Sequence, residues 1–255
     1  MTTVNRNNQS MCKRSSPDLL EAFSIAFQPI VDCEKQETIG YEALVRGLHN
    51  ENAQSVLDSV QDKDRYEFDH HCRVKAINDA TKIGLQGMYL SVNILPNSIS
   101  DSCRCLLATL RAARKAGLPT KNLILEFSEL EEMANATEIQ QAIERCRSAG
   151  FRTAIDDFGA GYAGLGLLVD FRANIVKLDM KLIRGIDRDR VRQAILVNSL
   201  NLLNQLNIDV IAEGVESKDE MSWLRRAGVR FMQGFYFAMP AVGQLPTVAK
   251  SRFYC

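Results

Sequence analysis

The chain has 255 residues, 46% of them hydrophobic, and its 31 basic and 31 acidic residues give a formal net charge of zero. This length and apolar fraction are enough for a substantial core. The balanced charge offers no basic excess for a nucleic acid polymer and no polybasic segment for a membrane surface. No apolar run is long enough for membrane insertion, and the polar N-terminus lacks a signal-peptide core. We therefore expect a cytoplasmic protein with a flexible tail over residues 1–22 and one domain over residues 23–255.

The cysteines and histidines give no indication of a zinc site. There are seven cysteines and three histidines. Cys103 and Cys105 are too close together for the usual zinc spacing, and no second pair complements them. Buried or surface thiols in a reducing cytoplasm are the simpler interpretation.

Apolar alternation and spacing predict strands and helices in turn along the chain. The first two strands, 24–31 and 37–46, are joined by a short polar link as in a hairpin. Six more strands are predicted at 88–93, 122–127, 151–156, 174–179, 208–213 and 229–233. Helices are predicted at 53–60, 66–83, 98–116, 135–149, 165–170, 188–206 and 218–227.

This alternation predicts an α/β fold with a largely parallel sheet. Eight strands, intervening helices and a length near 250 residues favour a (β/α)₈ TIM-like barrel over an open doubly wound sheet. No Gly-x-Gly-x-x-Gly follows the first strand, which also argues against a dinucleotide-binding fold.

Polar side chains stand at the C-terminal ends of seven consecutive strands. In a barrel all these ends open on one face, where barrel enzymes carry their active sites. The sequence therefore predicts one shared site, to which the second to eighth strands contribute Glu42 and Arg46, Asn93, Glu126, Asp156 and Asp157, Lys177 and Asp179, Glu213 and Glu216, and Gln233.

The donor types in this set favour a hard divalent cation. Carboxylates and an amide oxygen, without histidine or cysteine, suit Mg²⁺ or Mn²⁺, and Ca²⁺ fits the same donors. Five acids carry more charge than one divalent ion neutralises, so two ions about 3.5–4 Å apart fit better. Such a pair activates water for an in-line displacement at phosphorus. The five acids are Glu42, Glu126, Asp156, Asp157 and Glu213.

Two cationic residues of the set have two interpretations each. Lys177 could hold or deprotonate the attacking water, or stabilise developing negative charge; the alternative is a salt bridge to Asp179 or Glu213. Arg46 could bind a phosphate in fork geometry; the alternative is a surface ion pair.

Seven short motifs then occur in a fixed order: Glu42-Ala43-Leu44, Ser91-Val92-Asn93, Glu126-Phe127-Ser128-Glu129, Asp156-Asp157-Phe158-Gly159, Lys177-Leu178-Asp179, Glu213-Gly214-Val215-Glu216 and Gln233-Gly234-Phe235. Any one of them is a weak signal, but seven in register are very specific. Over about residues 23–240 the chain resembles the EAL-domain cyclic di-GMP-specific phosphodiesterases of bacterial second-messenger signalling.

The resemblance implies a barrel whose first strand is antiparallel, and metal-dependent hydrolysis of cyclic di-GMP to linear pGpG by a homodimeric hydrolase. By position, Glu42, Glu213 and Lys177 resemble the catalytic residues, with Lys177 contacting the water. The implied metal ligands, for two Mg²⁺ or Mn²⁺ ions, are Glu42, Asn93, Glu126, Asp156, Asp157 and Glu213. The implied substrate contacts are Gln28, Leu44, Arg46 and Gln233, and Glu129 would stabilise the loop after Asp156.

A second function remains open from the sequence. Degenerate members of the family bind cyclic di-GMP, or a protein partner, without hydrolysis. Such members typically lack acids that this chain retains, so hydrolysis is the first expectation.

Overall fold

The computed structural model describes residues 23–95, 103–128, 136–160, 165, 168–169 and 171–254. Within these ranges the strands are β1 Phe23–Asp32, β2 Glu37–Gly47, β3 Tyr89–Ile94, β4 Leu123–Ser128, β5 Arg152–Phe158, β6 Ile175–Leu178, β7 Asp209–Ala212, β8 Phe231–Met232 and β9 Ala241–Val242. The α-helices are α1 Ala53–Asp58, α2 Arg65–Lys82, α3 Cys103–Ala116, α4 Ala136–Ser148, α5 Met180–Ile183, α6 Arg190–Gln205 and α7 Lys218–Arg226. No described helix combines the length and apolar character needed to cross a bilayer.

The first eight strands close into a barrel. Strands β2 to β8 pair in parallel in chain order. Strand β1 pairs antiparallel with both β2 and β8, which joins the two ends of the sheet. The predicted TIM-like barrel with an antiparallel first strand is therefore confirmed.

The predicted elements match the observed ones closely, with three differences. Strand β8 has only two residues, and α5 and β9 were not predicted. Helix α5 is a single turn, too short for a periodic signal, and begins where Asp179 Oδ1 accepts a hydrogen bond from the Lys181 N–H at 2.8 Å. Strand β9 pairs with β1 through only two residues. The predicted helix over residues 165–170 lies largely outside the described residues.

The barrel interior has an apolar layer beneath a polar one. Successive residues of a strand point to opposite faces, so positions two apart share the interior. One layer is apolar and buried, formed by Ile30, Ile124, Ala154, Ile175 and Ile211. Two positions from each of these, on the same strand or directly after it, stand Gln28, Glu126, Asp156, Lys177 and Glu213. The intervening residues, such as Leu125 and Val176, face outward and join the main core under the helices. The fold therefore places polar residues of separate strands at one depth.

Candidate active site

The polar layer is centred on Lys177, whose side chain is only 1% exposed. Four carboxylate oxygens surround its Nζ atom: Glu126 Oε1 and Glu213 Oε1 at 2.8 Å each, Asp156 Oδ1 at 2.9 Å and Glu42 Oε2 at 3.4 Å. The salt bridge to Glu213 that was the alternative for Lys177 is thus present, but as one of four. The structure brings carboxylates from β2, β4, β5 and the end of β7 to one ammonium group on β6.

A buried serine supports one of these acids. Ser91 Oγ donates a hydrogen bond to Glu126 Oε1 at 2.5 Å, and both residues are fully buried. No role for Ser91 followed from the sequence pattern. The signal that could have found it is its position two residues before Asn93, which places both on the same face of β3.

Two glutamines close the other side of the layer. Gln233 Nε2 donates to Glu42 Oε2 at 2.6 Å and to Gln28 Oε1 at 3.1 Å, and Gln28 Nε2 donates to the Ala238 carbonyl at 3.2 Å. Strands β1, β2 and the end of β8 are therefore linked at the depth of the carboxylates. Gln28 and Gln233 lie together beside Glu42, where a substrate contact was predicted.

A β-bulge brings the adjacent acids Asp156 and Asp157 to the same opening. Neighbouring residues of a regular strand would point to opposite faces. Between β5 and β6 the register shifts after Ile155, so the two aspartates together lie opposite Lys177. Asp157 has a φ of 55°, in the left-handed region that aspartate tolerates better than most residues. The bulge thus adds a second carboxylate to the site.

These acids form two overlapping groups that could each hold a cation. In each group the candidate ligand atoms lie within 4.8 Å of one another, and Asp156 belongs to both: Glu42, Glu126 and Asp156 in one, Asp156, Asp157 and Glu213 in the other. Among the described residues no hydrogen-bond donor reaches the buried Glu126 Oε2. A buried carboxylate oxygen without a partner is costly, and a divalent cation is a suitable partner for it. The donors present therefore fit a hard divalent ion.

The pKa values of the cluster also indicate a site for cations. Burial raises the pKa values of Glu126 and Glu213 well above their usual range, and neighbouring carboxylates add to the effect against the opposing charge of Lys177. Burial, Asp156 and Asp179 together raise the pKa of Asp157 to about 6. Burial alone would lower the pKa of Lys177, but the four carboxylates outweigh it and raise this pKa. More negative charge is gathered here than one ammonium group can neutralise.

A cavity of about 160 Å³ opens next to the carboxylates. Its wall includes two residues that sequence reasoning did not single out for the site, the α5 residue Met180 and Phe235, whose ring is half exposed. A second cavity of similar volume lies at the opposite end of the barrel, under the isoleucine layer. Both of its acidic residues form ion pairs, Asp209 with Arg152 and Asp32 with Arg230, at 2.6 Å each. We therefore place the candidate active site at the first cavity, next to the carboxylates.

The remaining predicted site residues lie outside the network of contacts described above. Asn93 is exposed near the end of β3, and Leu44 is half-buried two residues after Glu42. Arg46 Nη1 donates to the Val45 carbonyl at 2.7 Å, and within the described part of the chain no carboxylate lies within ion-pair distance of it. The proposed roles of these three residues stay predictions. Glu129 lies outside the described residues.

Comparison with known proteins identifies the family. A family model for the EAL domain matches residues 16–240. The chain belongs to the EAL domain family. Glu42 in the second strand of this EAL domain is the first residue of the Glu-Ala-Leu motif and enters the cluster around Lys177.

Solved structures resemble this EAL domain over most of its length. A standalone versatile EAL protein from Vibrio cholerae, in its c-di-GMP bound form, is 52% identical with a TM-score of 0.87, and the match covers 91% of this chain and 98% of that one. Klebsiella pneumoniae BlrP1, in a complex with calcium and cyclic di-GMP, is 31% identical with a TM-score of 0.85 over 93% of this chain and 60% of that one.

The relatives of this chain include a regulatory protein and a probable enzyme. The blue light- and temperature-regulated antirepressor BluF of Escherichia coli is 33% identical over 92% of this chain and 58% of its own length. The probable cyclic di-GMP phosphodiesterase PdeN of Escherichia coli is 29% identical over 86% of this chain and 44% of its own length. The chain thus spans about half the length of these two relatives.

Proposed function

We propose that this EAL domain hydrolyses cyclic di-GMP to linear pGpG. The observation that carries the proposal is the enclosed Lys177 ammonium among four carboxylates beside an open cavity. Water would add to one phosphorus while its bond to the ribose 3′ oxygen breaks, leaving a 3′ hydroxyl and a 5′ phosphate. The cyclic di-GMP complexes of related EAL structures support this choice of substrate.

Two divalent cations, Mg²⁺ or Mn²⁺, are part of the proposal. The five acids and Lys177 carry a formal charge of −4 when all are ionised, which two divalent ions would neutralise. Bound there, the ions would lower the pKa of a water molecule and neutralise charge that develops on the phosphate. The residues proposed to hold them are Glu42, Asn93, Glu126, Asp156, Asp157 and Glu213.

Lys177 would act as a hydrogen-bond donor more than as a base. Its four carboxylate neighbours raise the pKa of Lys177 above the usual range, which favours the ammonium form. A fixed ammonium can orient the attacking water and oppose negative charge on the phosphate oxygens. Gln28, Leu44, Arg46 and Gln233 are proposed as substrate contacts, of which the two glutamines already lie at the rim of the carboxylate cluster.

The direct test is a nucleotide assay. Purified protein is incubated with cyclic di-GMP and Mn²⁺ or Mg²⁺, and the nucleotides are separated by chromatography. We expect pGpG to appear with either metal and to disappear with excess EDTA. Lack of pGpG at every enzyme concentration, with Glu42→Gln indistinguishable from wild type, would refute hydrolysis.

A non-catalytic role as a receptor or protein-interaction module is the second candidate, because the relatives include an antirepressor and an HTH-type transcriptional regulator. Nucleotide binding that is tight in EDTA, with no turnover when Mn²⁺ is restored, would favour this candidate.

We also propose a homodimer in the cytoplasm. Val191 and Ile195 lie one turn apart on α6 and are 68% and 47% exposed, so they form an apolar stripe suited to a second copy. Among the described residues, Cys33, Cys72 and Cys146 form no disulfide bond, which is compatible with a reducing compartment. The division into a tail over residues 1–22 and a domain over residues 23–255 stays a prediction.

A further inference from the structure

Glu220 is a buried acid outside the carboxylate cluster. It lies in the first turn of α7 and is only 4% exposed. Its carboxylate accepts three backbone N–H groups: Gly185 on Oε1 at 2.8 Å, and Glu216 and Ser217 on Oε2 at 2.9 and 3.0 Å. One side chain thus holds backbone from two different loops.

An ordinary helix cap explains only part of this arrangement. In a capping box the N-cap serine and the glutamate three residues later exchange hydrogen bonds with each other's backbone. Ser217 and Glu220 do so, with the Glu220 N–H donating to Ser217 Oγ at 3.1 Å. The bonds from Gly185 and Glu216 are additional, and the bond from Gly185 comes from the turn after α5.

The segment that Glu220 holds begins with a residue of the site. Residues 213–217 connect β7 to α7, and Glu213 at their start contacts Lys177. The Glu213 N–H donates to the Leu178 carbonyl at 3.1 Å, which fixes the segment next to the barrel. At the far end, the Glu216 N–H donates to Glu220.

The segment also packs directly on α5. Gly214 has a φ of 64°, and a Cβ atom on it would lie 2.4 Å from Met180 Cβ. The segment 213–217 and helix α5 are therefore in direct contact, without room for a side chain at position 214. On the surface, Arg184 forms a bidentate ion pair with Glu216, in which Nη1 and Nη2 donate to Oε2 and Oε1 at 2.5 Å each. The bond between Gly185 and Glu220 closes the same junction from the buried side.

We propose that Glu220 is a positioning residue: by tying residues 213–217 to the turn after α5, it sets where the Glu213 carboxylate stands over the metal site. This rests on the proposed function, in which Glu213 is a metal ligand. Metal ligands must be held within about 0.5 Å of their productive positions. Loss of a group that orients a ligand typically weakens metal binding about 10- to 100-fold.

The test compares Glu220→Gln with Ser217→Ala by calorimetric titration of Mn²⁺. A glutamine has one acceptor oxygen, so in either orientation its NH₂ group faces a backbone N–H that the glutamate accepted. We expect E220Q to weaken Mn²⁺ binding by about 10- to 100-fold. S217A removes the serine half of the capping box and leaves the bonds to Gly185 and Glu216 in place. It should lower Tm by about 2–4 °C and keep Mn²⁺ affinity within about twofold of wild type.

A double variant tests whether the effect passes through Glu213. In the Glu213→Ala background, which has no side-chain oxygen at this position, E220Q should cause little further loss of Mn²⁺ affinity, because the ligand that it positions is already removed. Independent, additive losses would overturn the inference. If E220Q does not fold, Glu220→Asp provides the same comparison, since the shorter acid cannot span from α7 to Gly185.

Different results would overturn the proposed function and the positioning role of Glu220. A wild-type protein that binds no Mn²⁺ would overturn the proposed function and this inference with it. Equal Mn²⁺ affinities of wild type and E220Q, or equal losses in E220Q and S217A, would overturn this inference alone.

Discussion

At the scale of single residues, the site depends on which strand positions face the barrel interior. Lys177 is two positions from Ile175 and Glu126 two positions from Ile124, so each polar residue stands above an isoleucine of the same strand. An ammonium group buried this deeply is stable only because four acids surround it. The same acids leave a surplus of negative charge for cations.

Lys177→Met should separate catalysis from metal binding. Removing the ammonium takes away the donor proposed to stabilise the phosphate, so hydrolysis should fall by about 10²–10³-fold. Mn²⁺ affinity should not weaken, because the change removes a positive charge from among the carboxylates. Steady-state kinetics and calorimetry measure the two effects, with the exposed Lys218→Met as the control. Unchanged turnover in K177M would contradict the role of Lys177.

Ser91→Ala tests the support beneath Glu126. The variant removes the only described hydrogen-bond donor to Glu126 Oε1 other than Lys177. We expect the free energy of unfolding to fall by about 1–3 kcal/mol, as for loss of a buried bond to a charged group. Denaturant titration measures the change, and a variant as stable as wild type would show that the bond contributes nothing.

The acids of the site could be predicted from the sequence, but the residues that position them could not. Glu42, Asp156 and Glu213 stand out because acids interrupt strands that are otherwise apolar and buried, and strand ends converge in any barrel. Neither Ser91 nor Glu220 is an acid that interrupts an apolar strand, and their partners are distant in the chain or belong to the backbone. The bulge at Asp157 depends on the register between two strands, which alternation within one strand does not reveal.

At the scale of elements, helix α2 is fixed to the barrel by a buried ion pair. Arg73 is 1% exposed and pairs with Asp69 one turn earlier. Arg73 Nη1 donates to the Asn93 carbonyl at 3.5 Å, and Asp69 Oδ1 accepts from the Leu95 N–H at 3.3 Å. The pair therefore binds the backbone on both sides of the end of β3.

Arg73→Met should be strongly destabilising, because it leaves the mostly buried Asp69 carboxylate without its cation. We expect a loss of about 3–5 kcal/mol in the free energy of unfolding. The matched control is Lys75→Met, which breaks the pair with Asp79 at the same spacing on the outer side of α2 and should cost at most about 0.5 kcal/mol. Denaturant unfolding of both variants gives the comparison, and similar losses would contradict the buried role.

The predicted boundaries of these elements were accurate where periodicity was long. Helix α2 and strand β2 each offer many residues to the pattern, and both were predicted within two residues of their observed ends. Strand β9 and helix α5 have two and four residues, so their formation depends on partners: β1 for β9, and the Asp179 cap for α5.

At the scale of the whole molecule, barrel closure depends on β1. Asp32 at the end of β1 lies opposite Phe231 of β8, and its Oδ2 accepts hydrogen bonds from Arg230 at 2.9 and 2.6 Å. Burial alone would raise the pKa of Asp32, but Arg230 and the N–H groups of Lys35 and Glu34 lower it below its usual range. The charged form of Asp32 therefore stabilises the closed barrel.

Asp32→Asn should reveal this as a pH-dependent difference. The pKa of Asp32 is lower in the folded state, so its contribution is complete above its unfolded value and is lost as the pH falls through the folded value. We expect D32N to be less stable by about 1–3 kcal/mol at pH 7. The difference from wild type should persist down to about pH 4 and narrow below it. Urea unfolding across this range measures it, and a difference that does not change with pH would contradict the mechanism.

The proposed dimer is tested by charge on the apolar stripe of α6. The double variant Val191→Glu and Ile195→Glu should shift the protein from dimer to monomer, because burying two carboxylates in an interface is costly. Leu107→Glu on α3, at a residue of similar exposure, is the control and should leave the dimer intact. Size-exclusion chromatography with light scattering gives the masses, and a monomeric wild type at micromolar concentration would contradict the dimer.

The proposed chemistry depends most on whether the polar layer binds divalent cations. Crystals grown with Mn²⁺ and measured at the manganese absorption edge test this directly. We expect two anomalous peaks, one against Glu42, Glu126 and Asp156 and the other against Asp156, Asp157 and Glu213. Crystals in which these carboxylates bind no manganese and all four acids remain on Lys177 would contradict it.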